Sequence, residues 1–212
     1  NLKEQLDLQA LIRSRRRDNL TTSKTISVIV SSYNQLSVLP LCLESFYFQS
    51  SSPDLVIIAD DGSDDGTDEW VKENHLNYPF KIGFAKRKHD GYRLASLNNL
   101  AMKLVKSDRV LFTNADVIHN PFSIDSHLLT SGIGAGLIRS IKESAVGMVD
   151  IKLIRQFGQV ESIYFKNASP RTNIQLARQN SPLGVWGGNF SVAKRDFDKV
   201  GGFKPKTGWG GE

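Results

Sequence analysis

Short runs of β-branched and aliphatic residues, each closed by polar ones, punctuate the first half of the chain at Ile26–Val30, Leu55–Ala59 and Arg109–Thr113, and Lys81–Ala85 is a further candidate strand between them. Continuous apolar runs of this length predict strands buried on both faces of a parallel sheet. Between them the apolar period lengthens. Val38–Gln49 is predicted to be a helix with Pro40 in its first turn, where a missing N–H costs little. Thr67, Asp68 and Glu69 supply a cap and negative charge for a second helix. From Arg93, apolar positions at Leu94, Leu97, Ala101, Leu104 and Val105 keep a helical spacing and predict a third. Strands alternating with helices predict an α/β sheet wound on both faces. Such sheets bind ligands beyond the carboxyl ends of their strands. Asp60-Asp61 and Asn114-Ala115-Asp116 both fall at such ends.

The pattern is weaker elsewhere. Leu2–Ile12 predicts a short amphipathic helix, ended by Arg13, Arg15, Arg16 and Arg17, with a linker over Thr21–Thr25. Gly136–Ile141 predicts a strand, and 142–180 reads as irregular. Val185–Val192 predicts a strand whose glycines mark close backbone approaches. Asp196–Val200 predicts a helical turn stopped by Gly201-Gly202. These divisions give an N-terminal helix and basic linker (1–24), a first half of a single domain (25–118) and a second half (119–212). The chain stops at Gly-Trp-Gly-Gly-Glu without a polar tail, and the expectation is a piece of something longer.

Composition changes this picture little. Hydrophobic residues at 40% and charged residues at 23% are ordinary for a globular protein. The net charge of +5 is concentrated partly in Arg13–Arg17. Such a run either touches nucleic acid or an anionic membrane, or is a solvated helix end, and the solvated end is favoured. No nucleic-acid partner is expected. Cys42 is the sole cysteine, which excludes an intramolecular disulfide and a cysteine metal site. No apolar run approaches the roughly 20 residues of a membrane span, and the first residues lack a signal-peptide core. The expected location is the cytoplasm, with peripheral contact at the inner face of a membrane through Arg13–Arg17.

Four constellations carry candidate chemistry. In Asp60-Asp61-Gly62-Ser63, a strand-end carboxylate can accept the N3–H of uracil; the competing view is an acidic turn leading into a helix cap. Asp116 can ligate Mn2+ or Mg2+, hard cations that bridge to diphosphates. His119 is either a second ligand or a turn cap. Arg93, followed on its helix by Asn98 and Asn99, can pair with phosphate oxygens beside a helix N-terminus, or is an ordinary surface arginine. In Trp186-Gly-Gly-Asn189 and Trp209-Gly-Gly-Glu212, tryptophan faces can stack on sugar rings and a carboxylate can act as general base, unless each Trp is simply core.

Taken in order, Ser-Val-Ile-Val-Ser-Ser-Tyr-Asn (27–34), Asp-Asp-Gly-Ser (60–63), Asp-Gly-Tyr-Arg-Leu (90–94), Asn-Ala-Asp (114–116), Gly-Gly-Asn-Phe-Ser (187–191), Val-Gly-Gly-Phe (200–203) and Gly-Trp-Gly-Gly-Glu (208–212) resemble family 2 glycosyltransferases of the GT-A fold. The resemblance covers about residues 25–212. It is nearest to the bacterial polysaccharide and chondroitin-polymerase-like branch, with a C-terminal motif similar to that of β-1,4-galactosyltransferases. It implies a nucleotide-sugar-binding half over 25–118 and an acceptor-binding half over 119–212. Ser32, Tyr33 and Asp60 or Asp61 would hold uridine, and Arg93 would lie near the diphosphate. Asn114-Ala-Asp116 would be the DxD motif, with Asp116 the metal ligand. Trp186, Asn189, Trp209 and Glu212 would face the acceptor.

The chain departs from the family pattern twice. Asn114 replaces the first DxD aspartate and brings no charge. The family motif continues from Glu212 to an Asp that is its usual base, so Glu212 is the catalytic carboxylate this sequence offers. The implied reaction is metal-dependent and inverting: a glycan acceptor hydroxyl attacks the anomeric carbon of a UDP-sugar opposite the leaving UDP, in polysaccharide or glycoconjugate synthesis. A binding domain that has lost activity is the non-enzymatic alternative, for which Asn114 is the main support. A sugar nucleotidyltransferase is less favoured, because 31–35 is not a Gly-rich phosphate loop.

Overall fold

A computed structural model describes residues 23, 25–136, 138–141, 162–165 and 188–204. Its centre is β1 (Ile26–Ser32), every residue of which is buried. β2 (Leu55–Asp60) and β4 (Arg109–Asn114) flank β1 in parallel, and β3 (Lys81–Lys86) extends β2 on the outside. Two antiparallel strands, β9 (Asn189–Ala193) and β6 (Gly134–Ala135), complete a six-stranded mixed sheet in the order β3-β2-β1-β4-β9-β6.

Strand periodicity divides the buried runs between two cores. Val28, Val30, Val56 and Ile58 pack with Leu39, Leu43 and Phe46 of α1 (Leu39–Tyr47) on one face. Ile29, Ile57 and Phe112 pack with Leu97 and Ala101 of α3 (Leu94–Met102) on the other. Both faces are thus covered by helices, which is why the runs carry no polar alternation.

Pro40 lies in the first turn of α1 as expected, but the helix stops at Tyr47. Beyond it the Gln49 amide donates to Ser45 O and Asn120 O, so its side chain links helix end to loop. α2 (Thr67–Asn74) starts from Gly66, at φ +91, rather than from a capping side chain; the Thr67 hydroxyl donates back to Asp65 Oδ1. α3 ends before Leu104, which is exposed.

In the second half, β9 covers the end of the predicted strand, and α5 (Lys194–Lys199) begins earlier than the predicted turn. Gly201 and Gly202 stop it at φ +77 and +80. Of the predicted Gly136–Ile141 strand, β7 (Ile138–Ile141) forms. It joins β5 (Val117–Ile118) and β8 (Ser162–Phe165) in a second sheet ordered β5-β8-β7. β8 falls within the stretch read as irregular. α4 (Ser123–Leu128) lies between the sheets in sequence. One carboxamide ties the halves: Asn99 of α3 donates to Phe203 O at 2.8 Å and accepts from Phe203 N at 3.0 Å. Leu2–Ile12 and Arg13–Arg17 lie outside the described residues. Among those described, no helix is long and apolar enough to cross a membrane.

Candidate functional site

Successive crossovers run from β1 to β2 to β3, then the chain returns to β4 on the other side of β1. That reversal opens a crevice at the carboxyl edge. Registers align its rim: Ser32 pairs with Asp60, Asp60 with Lys86 and Ser31 with Asn114.

The loops after β1 and β2 are stitched together. Asn34, at φ +51, donates its backbone N–H to Ser63 Oγ at 2.9 Å and accepts from Asp64 N at 3.0 Å. Asp60 closes its own turn: Oδ1 accepts from Gly62 N at 2.9 Å and Ser63 N at 2.8 Å, and Oδ2 accepts from Ser63 Oγ at 2.5 Å. Gly62, at φ +85, lies so close to the β3 loop that a Cβ would sit 2.5 Å from His89 N. Only glycine satisfies both constraints.

That turn aims the two aspartates differently. Asp61 faces the loop after β3, with Oδ2 3.1 Å from His89 Nδ1 and Oδ1 3.1 Å from Arg87 Nε. The Arg87 Nε–H itself donates to Lys88 O, so Asp61 Oδ1 has a cationic neighbour but receives no hydrogen bond. On the adjacent strand the buried Ser32 Oγ is also without a hydrogen-bond partner. Buried polar atoms left unsatisfied cost about 1–3 kcal/mol each and need a reason. Next to Ser32 in the chain, the half-exposed Tyr33 stacks its ring on His89, centroids 4.2 Å apart and planes 10° from parallel.

Arg93 occupies the N-cap position of α3, its guanidinium 2.8 Å from Asp90 on an exposed rim. Asn114 ends β4, and its carbonyl accepts from the Cys42 thiol at 3.7 Å. Burial, reinforced by the nearby Asp116 charge, pushes the Cys42 thiol far above its ordinary range. Asp116 is itself buried at the strand end. No group of three or more His, Cys, Asp or Glu able to hold a metal occurs among the described residues. A single carboxylate here suits a hard cation that takes its remaining ligands from a diphosphate and water.

His119 is not such a ligand. Both ring nitrogens are engaged: Thr113 Oγ1 donates to Gly188 O, so it accepts from His119 Nε2 at 2.8 Å, and Ser123 Oγ lies 3.1 Å from Nδ1. Burial, with the neighbouring His127 a lesser cause, lowers its pKa to about 3. The sequence reading missed a second buried group, Arg109, His127 and Ser191, which meets the carboxamide of Asn189. Polar residues at alternating positions of β9, Asn189 and Ser191, were the available signal. The structure therefore gathers Ser32, Tyr33, Asp60, Asp61, Asn114 and Asp116 along one edge, with Arg93 at a helix start and Asn189 paired to Thr113. Trp186, Trp209 and Glu212 lie outside the described residues.

The family described as Glycosyl transferase family 2 matches residues 27–129. Chondroitin synthase of Escherichia coli is 26% identical over 217 residues, covering 88% of this chain and 31% of that protein. Validoxylamine A glucosyltransferase of Streptomyces hygroscopicus subsp. limoneus is 26% identical over 211 residues, 88% of this chain and 46% of that protein. The chain thus spans about a third to a half of these relatives. A mannosyltransferase from Pyrobaculum calidifontis, solved in complex with GDP-Man and Mn2+, superposes with a TM-score of 0.58 at 17% identity, over 87% of this chain and 49% of that one. The fold is the GT-A type, a mixed α/β sheet flanked by helices.

Proposed function

We propose that this chain is a family 2 glycosyltransferase domain that takes a UDP-sugar and transfers its sugar, with inversion, to a hydroxyl of a glycan acceptor. The observation that carries the reading is the pair of unsatisfied buried atoms, Ser32 Oγ and Asp61 Oδ1, at the ends of adjacent strands, with the half-exposed Tyr33 next to Ser32 in the chain. A uracil ring offers what they lack: N3–H for the carboxylate, a carbonyl oxygen for the hydroxyl, and a flat face for the tyrosine. Asp60 supports this indirectly, by holding the turn that frees Asp61. The family match and the similarity to named glycosyltransferases support the same class of reaction.

The remaining roles follow from position. Arg93 at the start of α3 is suited to diphosphate oxygens, helped by the helix N-terminus. Asn114 would hydrogen-bond ribose or sugar through its amide. Asp116 would hold Mn2+ or Mg2+, which when bound neutralises charge developing on the departing diphosphate. Trp186, Asn189 and Trp209 would face the acceptor, and Glu212 would remove the proton from the attacking hydroxyl. The setting we propose is polysaccharide or glycoconjugate synthesis, in the cytoplasm at the membrane's inner face, with Arg13–Arg17 as the contact.

Calorimetry with UDP, ADP and a panel of UDP-sugars, with and without Mn2+, tests this reading. UDP should bind more tightly than ADP, and more tightly with metal. Equal affinity for both nucleotides would overturn it.

A further inference from the structure

The loop after β3 lays one of its own side chains across the candidate base site. His89 stacks its imidazole on Tyr33, with centroids 4.2 Å apart and planes 10° from parallel, and its Nδ1 lies 3.1 Å from Asp61 Oδ2. A carboxylate oxygen accepts, so Nδ1 is the donor. A flat ring on Tyr33 and a ring N–H directed at Asp61 are also the two contacts proposed for uracil. One face of one tyrosine accommodates one such ring at a time.

The imidazole can leave while the main chain stays. The loop is fastened at both ends: Arg87 N–H donates to Asp60 O at 3.1 Å, and Arg87 Nη1 donates to Arg93 O at 3.2 Å. The His89 backbone is wedged against the Gly62 turn, where an added Cβ would sit 2.5 Å from its nitrogen. The His89 side chain, by contrast, is 37% exposed. Rotation about its own side-chain bonds carries the ring off Tyr33 into water without unfastening the loop. That rotation gives up one stacked pair and one hydrogen bond, each a modest contribution at a partly exposed position.

We propose that His89 is a built-in competitor for the base subsite: in the empty protein its imidazole takes the place of the base on Tyr33 and Asp61, and a uridine enters by turning it out and assuming both contacts. The proposal rests on the reading of Tyr33 and Asp61 as part of a uridine site. A ligand that binds only the open form has its affinity lowered by the fraction of molecules that are open. Removing the competitor therefore tightens binding, the reverse of what losing a contact residue does.

Calorimetry with UDP on the parent chain, His89→Ala and His89→Phe tests this sign. The alanine variant should bind UDP about three- to tenfold more tightly, the scale of one stacked pair or one hydrogen bond. Phenylalanine keeps a ring for Tyr33 and loses the N–H, so its gain should be smaller. Unchanged or weaker UDP binding in His89→Ala would overturn the proposal and make His89 a platform beside the base rather than its rival. Proton NMR follows the same event in the parent chain. The imidazole signals absent from the His89→Ala spectrum, shifted by the Tyr33 ring current, should move toward free-imidazole positions as UDP is added. Signals that keep their shift in the saturated complex would sink the proposal while leaving the uridine site intact. Failure of both the parent and His89→Ala to bind UDP would overturn the uridine reading itself, and the proposal with it.

Discussion

Two polar regions lie within the same sheet and are built on opposite terms. At the carboxyl ends of β1 and β2, Ser32 Oγ and Asp61 Oδ1 are buried without a hydrogen bond. At the seam between β4 and β9, His119 and His127 are equally buried, yet both nitrogens of each ring have partners. The first arrangement is costly alone and becomes favourable when a ligand supplies the missing groups. In the second the two imidazoles are fully partnered, which fixes geometry, while Arg109 Nη1 at its foot is buried without a partner.

The contrast breaks most readily in acid. His119 and His127 have pKa values near 3 and 4 in the folded protein, against 6.5 ordinarily. The unfolded chain therefore binds more protons between those limits, and stability falls as pH drops from 6.5 through the folded values. The seam should lose roughly a few kcal/mol over this window. Thermal melts from pH 7.5 to 4 should show a steep fall in Tm, and His127→Gln should flatten part of it. A flat profile would mean the rings are already protonated when folded.

The second break is Asp61→Ala. Hydrogen bonds to charged groups contribute about 1.5–3 kcal/mol, so UDP affinity should fall roughly 10- to 150-fold with ADP little changed. Equal losses would point to a purely structural turn. Asp116→Ala sharpens the comparison next: the gain in UDP affinity from Mn2+, measured by calorimetry, should disappear while metal-free affinity persists. The smallest effect is expected for Ser32→Ala. A neutral hydrogen bond contributes about 0.5–1.5 kcal/mol, so UDP should weaken only about three- to tenfold. Removing an unsatisfied hydroxyl should also leave Tm unchanged or slightly higher.

The sequence made the first region legible and the second nearly invisible. β1, β2 and β4 announce themselves because burial on both faces demands unbroken apolar runs, and their ends deliver Asp60, Asp61 and Asn114 to one edge. Which aspartate closes its own turn and which faces the loop after β3 could not be read there, since that depends on how the Gly62 turn packs against His89. His127 gives no local sign of its role, because its partners Ser191 and Asn189 are 64 and 62 residues away. β8 was missed for a similar reason: its pairing with β5 and β7, rather than its own pattern, makes it a strand. Trp186, Trp209 and Glu212 stay as expectations from motif resemblance alone.

The double hydrogen bond between Asn99 and Phe203 has a bearing on the order of folding. Its partners are 104 residues apart, and Phe203 also packs edge-on against Phe112 and Phe197. Closing so long a loop is entropically unfavourable until the intervening sheet exists. The carboxamide should therefore engage after β4 and β9 have paired, as a late latch on an assembled core. Contacts absent from the transition state act on unfolding rather than on folding. Asn99→Asp, which keeps the acceptor and loses the donor, should leave the refolding rate nearly unaltered and make the protein unfold faster.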